Sequence, residues 1–360
     1  MSLVNTRIQN IRSNSRLDKF ELRPSRYGAL NLFLDQSQDP NGILTPELVE
    51  KARTSIGNTL ETPVINYDAN ISIGNTRSVT IADSENTSAM VQFTLTTYSW
   101  GFTVTPAMYM NNEISIQRDF EAKMMKYIYK FASTLDKAAL AALAAAKTQV
   151  MANPLFYTFG SNAISAGWLQ RENLLGDLNV MMEANDFFGQ LHIVGDAGVQ
   201  SLVRKLAQKD LYNIENKRNE WGDKIFHFTN GIAAAEKTFA QGYAVQQGSV
   251  GLLTRFERDS ILGTRSGDGH EWGIATLPVL NMPVGTYFYD SVDDYSAIAG
   301  AATADMTRTR KEHYGFAVDV CFVTAYNSSP STLASPIIAF NVGYDAATDK
   351  LGLVVNNVGQ

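Results

Sequence analysis

The stretch from Glu113 to Val150 constrains the fold of this chain more than any other, because it reads as one long helix. Its apolar residues recur at steps of three and four, a spacing that places them on one helical face: Ile116, Phe120, Met124, Ile128, Phe131, Leu135 and Ala139. Residues 138–146 are Ala and Leu alone, the strongest helix formers, and Asn153-Pro154 forces a stop. At 1.5 Å per residue the helix would be roughly 55 Å long. The pattern by itself fits an ordinary long amphipathic helix, so its role depends on the segments around it.

Residues 60–105 are predicted to form a long two-stranded β-loop with a polar tip at 83–88. Apolar and polar residues alternate in two runs of opposite phase, which implies a bulge or bend near residues 96–98. The apolar members are Val91, Phe93 and Leu95 in the first run, then Trp100, Phe102 and Val104 in the second. An isolated hairpin is marginal in water. We therefore expect another surface, in this chain or in a neighbouring one, to cover its apolar face.

The first 44 residues show no sustained periodicity but are too apolar for a disordered tail, so we interpret them as an extended arm that lies on another surface. Thr45-Pro46-Glu47 then opens a short helix that ends near Gly57-Asn58. Residues 1–26 hold six basic and two acidic residues, a local charge of +4 in a chain of net charge −6, which leaves −10 for the rest. A basic arm on an acidic body can contact an anionic polymer. A solvated tail would fit the same charges.

The second half of the chain alternates between strand and helix patterns. A helix over 166–188, a buried strand at 191–196 and a helix over 197–209 precede strands at 225–228 and 248–256. These segments form a compact α/β module. Strand patterns return near the end of the chain, at 285–289, 314–326 and 336–342.

Several kinds of chemistry are missing from the sequence. Cys321 is the single cysteine, so no intrachain disulfide forms, and its apolar strand pattern predicts a buried thiol. No two histidines lie within four residues of each other, and no phosphate-loop, dinucleotide or hydrolase motif occurs. The chain has neither a signal-peptide pattern nor a run of 18 apolar residues. We expect no cofactor, no metal and no membrane contact, and synthesis in a reducing cytoplasm.

The best candidate for an enzyme site is the glycine-rich loop at 263–273. Its Asp268, His270 and Glu271 have side chains that could bind a metal ion or transfer protons. Any exposed glycine-rich loop contains residues of this kind, so the loop supports an enzyme only as an alternative.

The order of these parts resembles the major capsid protein of tailed bacteriophages, the Hong Kong 97-type fold. The sequence runs from a loose arm and a short helix through a β-loop and a very long helix to an α/β module and returning strands. Residues 192–206 and 242–259 are similar to axial-domain segments of that family, and residues 312–327 are similar to the closing strand of its peripheral domain. The resemblance implies an α+β fold in which the arm reaches along neighbours and the extended loop overlies the adjacent subunit.

The resemblance also implies a division of the chain and a role for its parts. The expected segments are 1–59 as arm and short helix, 60–105 as extended β-loop, 106–189 as peripheral domain with a spine helix at 113–150, 190–260 as axial domain, 261–345 as loop and strands returning to the peripheral domain, and 346–360 as C-terminal tail. Contacts between subunits are expected from Val91, Phe93, Leu95, Trp100 and Phe102. The residues expected to face the packaged DNA are Arg7, Arg12 and Arg16.

The function implied is structural and not enzymatic. The chain is expected to self-assemble, in hexamers and pentamers, into an icosahedral shell that encloses double-stranded DNA and contacts it without sequence preference. The resemblance leaves room for scaffold, portal and decoration proteins, and it implies a virion protein assembled in the host bacterial cytoplasm. An encapsulin-like nanocompartment, with the same fold around an enzyme cargo, is the main alternative. An enzyme that uses the 263–273 loop is the second.

One departure from the family predicts that no covalent bond joins neighbouring subunits. Some members crosslink through a lysine in the extended loop, and this chain has no lysine between Lys51 and Lys123. Boiled and reduced particles should therefore run as a single band near 39.6 kDa on a denaturing gel. A ladder of heavier bands would contradict this prediction and would point to a lysine elsewhere, such as Lys123 or Lys126.

Overall fold

The structure is a computed structural model of the chain. It describes residues 4, 6–9, 27–39, 42–55, 57–66, 87–106, 116–167, 170–209, 220–221, 224–233, 238–256, 261, 270–278, 280–293, 309–325 and 333–343. Its longer helices are α1 Gly28–Gln36, α2 Pro46–Thr54, α3 Ile116–Ala146, α4 Arg171–Glu183 and α5 Ala197–Lys209. Its strands are β1 Thr59–Asn66, β2 Thr87–Thr94, β3 Thr96–Val104, β4 Thr158–Gly160, β5 Ala163–Ala166, β6 Leu191–Gly195, β7 Glu220–Trp221, β8 Lys224–Phe228, β9 Thr238–Gln246, β10 Val250–Arg255, β11 His270–Thr276, β12 Pro283–Asp293, β13 Thr309–Thr324 and β14 Ile337–Gly343.

The long helix α3 follows the apolar pattern that predicted it. Its 31 residues make it roughly 46 Å long, and its buried stripe includes Phe120, Met124, Ile128, Phe131, Leu135 and Ala139. The predicted start at Glu113 lies outside the described residues. The predicted end at Val150 is wrong, because the helix ends at Ala146. There the Ser335 hydroxyl donates to the Ala146 carbonyl at 2.7 Å, and Thr148 N donates to Ile337 O at 2.8 Å. The backbone therefore turns toward β14 instead of continuing the helix.

The strands form three sheets. The five-stranded antiparallel sheet has the order β10-β13-β12-β11, with β3 paired to β13. The seven-stranded mixed sheet has the order β4-β5-β14-β9-β6-β8-β7. Strands β1 and β2 form a two-stranded antiparallel sheet of their own, which we call the ribbon. One hydrophobic core joins α1 and α3 to the five-stranded sheet, and a second joins α4 and α5 to the seven-stranded sheet.

These sheets do not coincide with the predicted segment boundaries. Strand β14, expected to return to the peripheral domain, lies inside the seven-stranded sheet between β5 and β9. Strand β10, expected in the axial domain, pairs with β13 in the five-stranded sheet. The helix predicted over 166–188 begins only at Arg171, because residues 163–166 pair with β4 and β14 as a strand.

The prediction of an extended arm is wrong for residues 28–36, which form α1 on the core of their own subunit. Four of its apolar residues are fully buried, with 0% exposure: Ala29, Leu30, Leu32 and Phe33. Gly28 lies so close to β8 that an added Cβ would come within 2.6 Å of the Phe228 backbone. The segment is a helix because tertiary packing, and not local periodicity, stabilises a helix of nine residues.

A buried carboxylate, Asp136 of α3, holds the start of α1. Tyr27 at the N-cap of α1 provides no side-chain hydrogen bond. Asp136 Oδ1 accepts from Leu30 N at 3.1 Å instead, and Asp136 Oδ2 accepts from the Thr229 hydroxyl just beyond β8. Burial raises the pKa of Asp136, and the hydrogen bonds from Thr229 and from the backbone of Leu30 and Ala29 oppose that rise. One side chain thus joins both helices to the seven-stranded sheet, at the helix end where a negative charge is favourable.

Replacing this carboxylate tests how much the junction stabilises the subunit. Asp136→Ala should lower the free energy of unfolding by about 2–3 kcal/mol, because buried donors lose their acceptor. Asp136→Asn should lower it by about 1 kcal/mol, because an amide oxygen can still accept from Leu30 N. Denaturant unfolding of the full-length chain measures both. Lys137→Ala, at the neighbouring exposed position of α3, is the control and should have little effect. Equal losses for Ala and Asn would contradict the capping role.

Candidate inter-subunit surfaces

The ribbon is the part of the structure that corresponds to the predicted extended loop, but its strands are not the ones expected. Strand β2 pairs with β1 from Thr59↔Thr94 to Asn66↔Thr87. Strand β3, which the sequence assigned to the same loop, pairs with β13 in the five-stranded sheet. The change of phase near residues 96–98 therefore marks the point at which the chain leaves the ribbon and enters the body of the subunit.

Trp100 and Phe102 do not lie on an exposed apolar strip. Both face α3, where the Trp100 and Phe131 ring centroids are 4.4 Å apart and those of Phe102 and Phe120 are 5.4 Å apart. Val104, the third apolar residue of this run, has 0% exposure. The surface expected to cover this strand is α3 of the same chain. Contact of Trp100 and Phe102 with another subunit stays a prediction that this packing does not favour.

The first apolar run lies at the base of the ribbon. Leu95 is 2% exposed and packs in a small cluster with Leu48, Leu60, Leu253, Cys321 and Val323, against which Phe93 is partly buried. Val91 is 9% exposed, whereas the adjacent Met90, which the sequence analysis did not single out, is 57% exposed. That these residues contact another subunit stays a prediction, and Met90 joins them as a large apolar side chain of the ribbon that is exposed.

An open groove separates the ribbon from the end of α3. It has a volume of about 700 Å³. Met90 and Phe93 line one wall, the small residues Ala142, Ala145 and Ala146 line the other, and Phe322 of β13 also lines it. Because this space lies between β2 and α3, packing does not hold the described ribbon flat against the helix.

Of the three residues expected to contact DNA, Arg7 is the one that the structure describes. Arg12 and Arg16 lie outside the described residues. Arg7 is partly buried, with its side chain 15% exposed. Its Nη2 is 2.9 Å from Glu312 Oε2, and its guanidinium lies over the rings of Phe120 and Tyr314. A DNA-facing role for Arg7 stays a prediction, and the pairing of that side chain with a carboxylate that is only 7% exposed argues against it.

The 263–273 loop shows no catalytic arrangement in its described part. His270 and Glu271 belong to β11, so residues 270–273 are a strand and not a loop, and Asp268 lies outside the described residues. His270 Nδ1 is 2.7 Å from the Tyr287 hydroxyl, and its ring stacks on Trp272 and Tyr289. Within the described ranges, no group of three or more His, Cys, Asp or Glu residues could hold a metal ion.

Three further titratable groups, His192, His227 and Cys321, are buried. His192 Nδ1 lies 3.0 Å from His227 Nε2 between the parallel strands β6 and β8. Burial lowers the pKa of His192 to about 4 and that of His227 to about 3, so both rings are neutral at neutral pH and one ring can donate to the other. Burial also raises the pKa of the Cys321 thiol to about 11, which leaves it protonated and unreactive.

Comparison with solved structures identifies the fold. The chain superimposes on the capsid asymmetric unit of cyanophage Pam1 with a TM-score of 0.50 and 11% identity, over 90% of this chain and 94% of that one. A structure from Mycobacterium phage Che8 matches with a TM-score of 0.48 and 10% identity, over 83% and 88% of the two chains. The capsid structure of cyanophage P-SCSP1u matches with a TM-score of 0.42 and 11% identity, over 81% and 84%. The likeness to the Pam1 capsid confirms the predicted α+β fold of the Hong Kong 97 type.

Two further comparisons add no family assignment and no membrane segment. No protein-family model and no curated protein matches the sequence. In the part of the chain that the structure describes, no helix is long and apolar enough to cross a membrane.

The burial of Arg7 predicts a structural effect for its substitution. Arg7→Gln should lower the free energy of unfolding by about 1–2 kcal/mol, because Glu312 loses its closest cation in a nearly buried site. Denaturant unfolding of the full-length chain measures the change, and Lys126→Gln, on the exposed side of α3, is the control. Unchanged stability together with weaker nucleic-acid binding would instead restore the DNA-facing role of Arg7.

Proposed function

We propose that this chain is the major capsid protein of a tailed bacteriophage, and that copies of it assemble as hexamers and pentamers into an icosahedral shell around double-stranded DNA. The observation that carries the proposal is the likeness in fold to the Pam1 capsid over 90% of the chain. The role is structural and not enzymatic, and the place of action is the virion after assembly in the host bacterial cytoplasm. Scaffold, portal and decoration proteins are further partners of this proposal, on the ground of fold alone.

The ribbon gives a physical reason for assembly. A two-stranded sheet is marginal in water unless it packs against something else, and this one stands beside an open groove with Met90 57% exposed. Contact with a neighbouring copy would bury that side chain and contribute roughly 1.5–3 kcal/mol for each such group. Repetition around a closed shell multiplies this small gain, so assembly depends on many weak contacts of the same kind.

The proposed contact with packaged DNA rests on the remaining basic residues of the N-terminal segment. Once Arg7 is assigned to Glu312, Arg12 and Arg16 are the members of the predicted set that stay available for this role. Such contacts would be salt-dependent and independent of base sequence. They also separate the capsid from the encapsulin-like alternative, since a shell around an enzyme cargo has no need for a basic inner arm.

Two deletions test the proposal and the corrected boundary of the extended loop together. Replacing residues 62–91 by a short Gly-Ser turn joins Glu61 to Gln92, which face each other across the ribbon. That variant should fold and stay soluble but should no longer close shells. Replacing residues 64–102 also removes most of β3, and with it Trp100 and Phe102 from the core, so that second variant should not fold. Circular dichroism and light scattering on the full chain and both variants separate folding from assembly.

The outcomes of this comparison are distinct. Normal shells from the 62–91 variant would contradict the role of the ribbon in assembly. A full-length chain that stays monomeric at every concentration would contradict the shell itself. Shells that contain protein cargo, and no nucleic acid protected from nuclease, would favour the encapsulin-like alternative.

A further inference from the structure

The ribbon joins the body of the subunit through two short segments, which we call its root: Ser55, Gly57 and Asn58 before β1, and Leu95 after β2. Leu95 N donates to Asn58 O at 2.7 Å, so the two segments are hydrogen-bonded to each other. Above the root, the groove of about 700 Å³ separates β2 from α3. At the base of the ribbon, Leu60 and Phe93 pack in the cluster of Leu48, Leu253 and Val323. The direction in which the ribbon leaves the body is therefore decided at the root and by this packing at its base.

Arg255, the last residue of β10, donates hydrogen bonds to the first of these segments. Its Nη1 donates to Ser55 O at 3.1 Å and to Gly57 O at 2.6 Å. Its Nη2 donates to Asn58 Oδ1 at 2.7 Å, and Nε and Nη2 both donate to Asp319 Oδ2, at 2.9 and 2.7 Å. A guanidinium has five N–H groups in a rigid planar fork. All five have partners here, and three of those partners belong to the root.

Asp319 connects the other side of the root to the same network. It lies opposite Arg255 in the register of β10 and β13, so both residues are fixed by the five-stranded sheet. Its Oδ1 accepts from the Thr97 hydroxyl at 2.6 Å, just after the chain leaves the ribbon. The side chains of Arg255 and Asp319 are only 8% and 14% exposed, so water competes weakly for these hydrogen bonds.

We propose that Arg255 is the positioning residue that fixes the angle at which the ribbon leaves the subunit, and that this angle decides whether copies close into shells of one size. The second clause rests on the proposed function, whereas the first does not. Lysine cannot replace the arginine, because a single ammonium has three donors and no planar fork. Without the fork, the root keeps the Leu95–Asn58 hydrogen bond, but Ser55, Gly57 and Asn58 lose their connection to β10. The packing of Leu60 and Phe93 is then left to hold the ribbon beside the groove.

The chain supplies a matched control in a second Arg–Asp pair of the same sheet. Arg310 Nη2 lies 2.7 Å from Asp290 Oδ2, the same separation as in the buried pair, but these side chains are 58% and 37% exposed. Exposed pairs of this kind contribute little to stability. Arg310→Lys therefore makes the same chemical change as Arg255→Lys without touching the root.

The experiment compares the full-length chain with Arg255→Lys and Arg310→Lys by hydrogen exchange of unassembled subunits and by electron microscopy of assembled particles. In Arg255→Lys, peptides that cover 57–66 and 87–95 should exchange about tenfold faster, while peptides of α3 stay unchanged. Its particles should be fewer and should vary in diameter. Arg310→Lys should match the parent chain in both measurements.

Two results would overturn the proposal: unchanged exchange at the root in Arg255→Lys, or faster exchange with particles of parental yield and diameter. If Arg255→Lys does not fold, Asn58→Ala removes only the Nη2 contact with the root. Asn58→Ala should then shift both measurements in the same direction by less, and no shift in either would overturn the proposal. If the parent chain forms no particles, the proposed function fails and the clause on shell size falls with it, while the exchange data still decide the positioning role.

Discussion

The buried carboxylate of Asp136 is the interaction on which the rest of the subunit depends. It lies in the long helix α3 and accepts hydrogen bonds from the start of α1 and from Thr229 beyond β8. An unpaired buried carboxylate would be costly, so the helix, the N-terminal segment and the seven-stranded sheet have to come together to satisfy it. Helix α1 then lies between α3 and the two larger sheets, with contacts to α3, β6, β8 and β10.

The body contrasts with the ribbon, which is held at its root and base and borders an open groove on the side of α3. Arg255 and Asp319 connect the root to the five-stranded sheet by hydrogen bonds that involve charged groups. Such hydrogen bonds are stronger than those between neutral groups. Beyond the root, the groove leaves room between the ribbon and α3. The body therefore packs on residues of the same chain, and the root sets the direction of the one element that extends beside the groove.

The sequence predicted those elements whose periodicity is strong and local. Helix α3, the buried strand β6 and helix α5 follow the expected pattern because their side chains repeat at the helical or strand period. Helix α1 was missed because its cap comes from Asp136, 106 residues further along the chain. A local pattern carries no sign of a partner at that distance.

The candidate site was less predictable, because each residue's role depends on the partner that tertiary structure provides. The alternation of Trp100 and Phe102 identifies a strand but not its neighbour, which is β13 and not β2. Arg7 carries the same charge on an exposed arm as beside Glu312, and only the structure distinguishes the two. Arg255 at the end of an apolar strand was a usable signal, since a charge buried in such a strand requires a partner.

A cryo-electron microscopy reconstruction of particles assembled from the full-length chain tests the central claim most directly. We expect a closed icosahedral shell in which the body keeps its two-core fold and each ribbon contacts another copy of the chain. A closed shell whose ribbons contact only their own subunit, or a chain that yields only monomers and irregular aggregates at all concentrations, would contradict it.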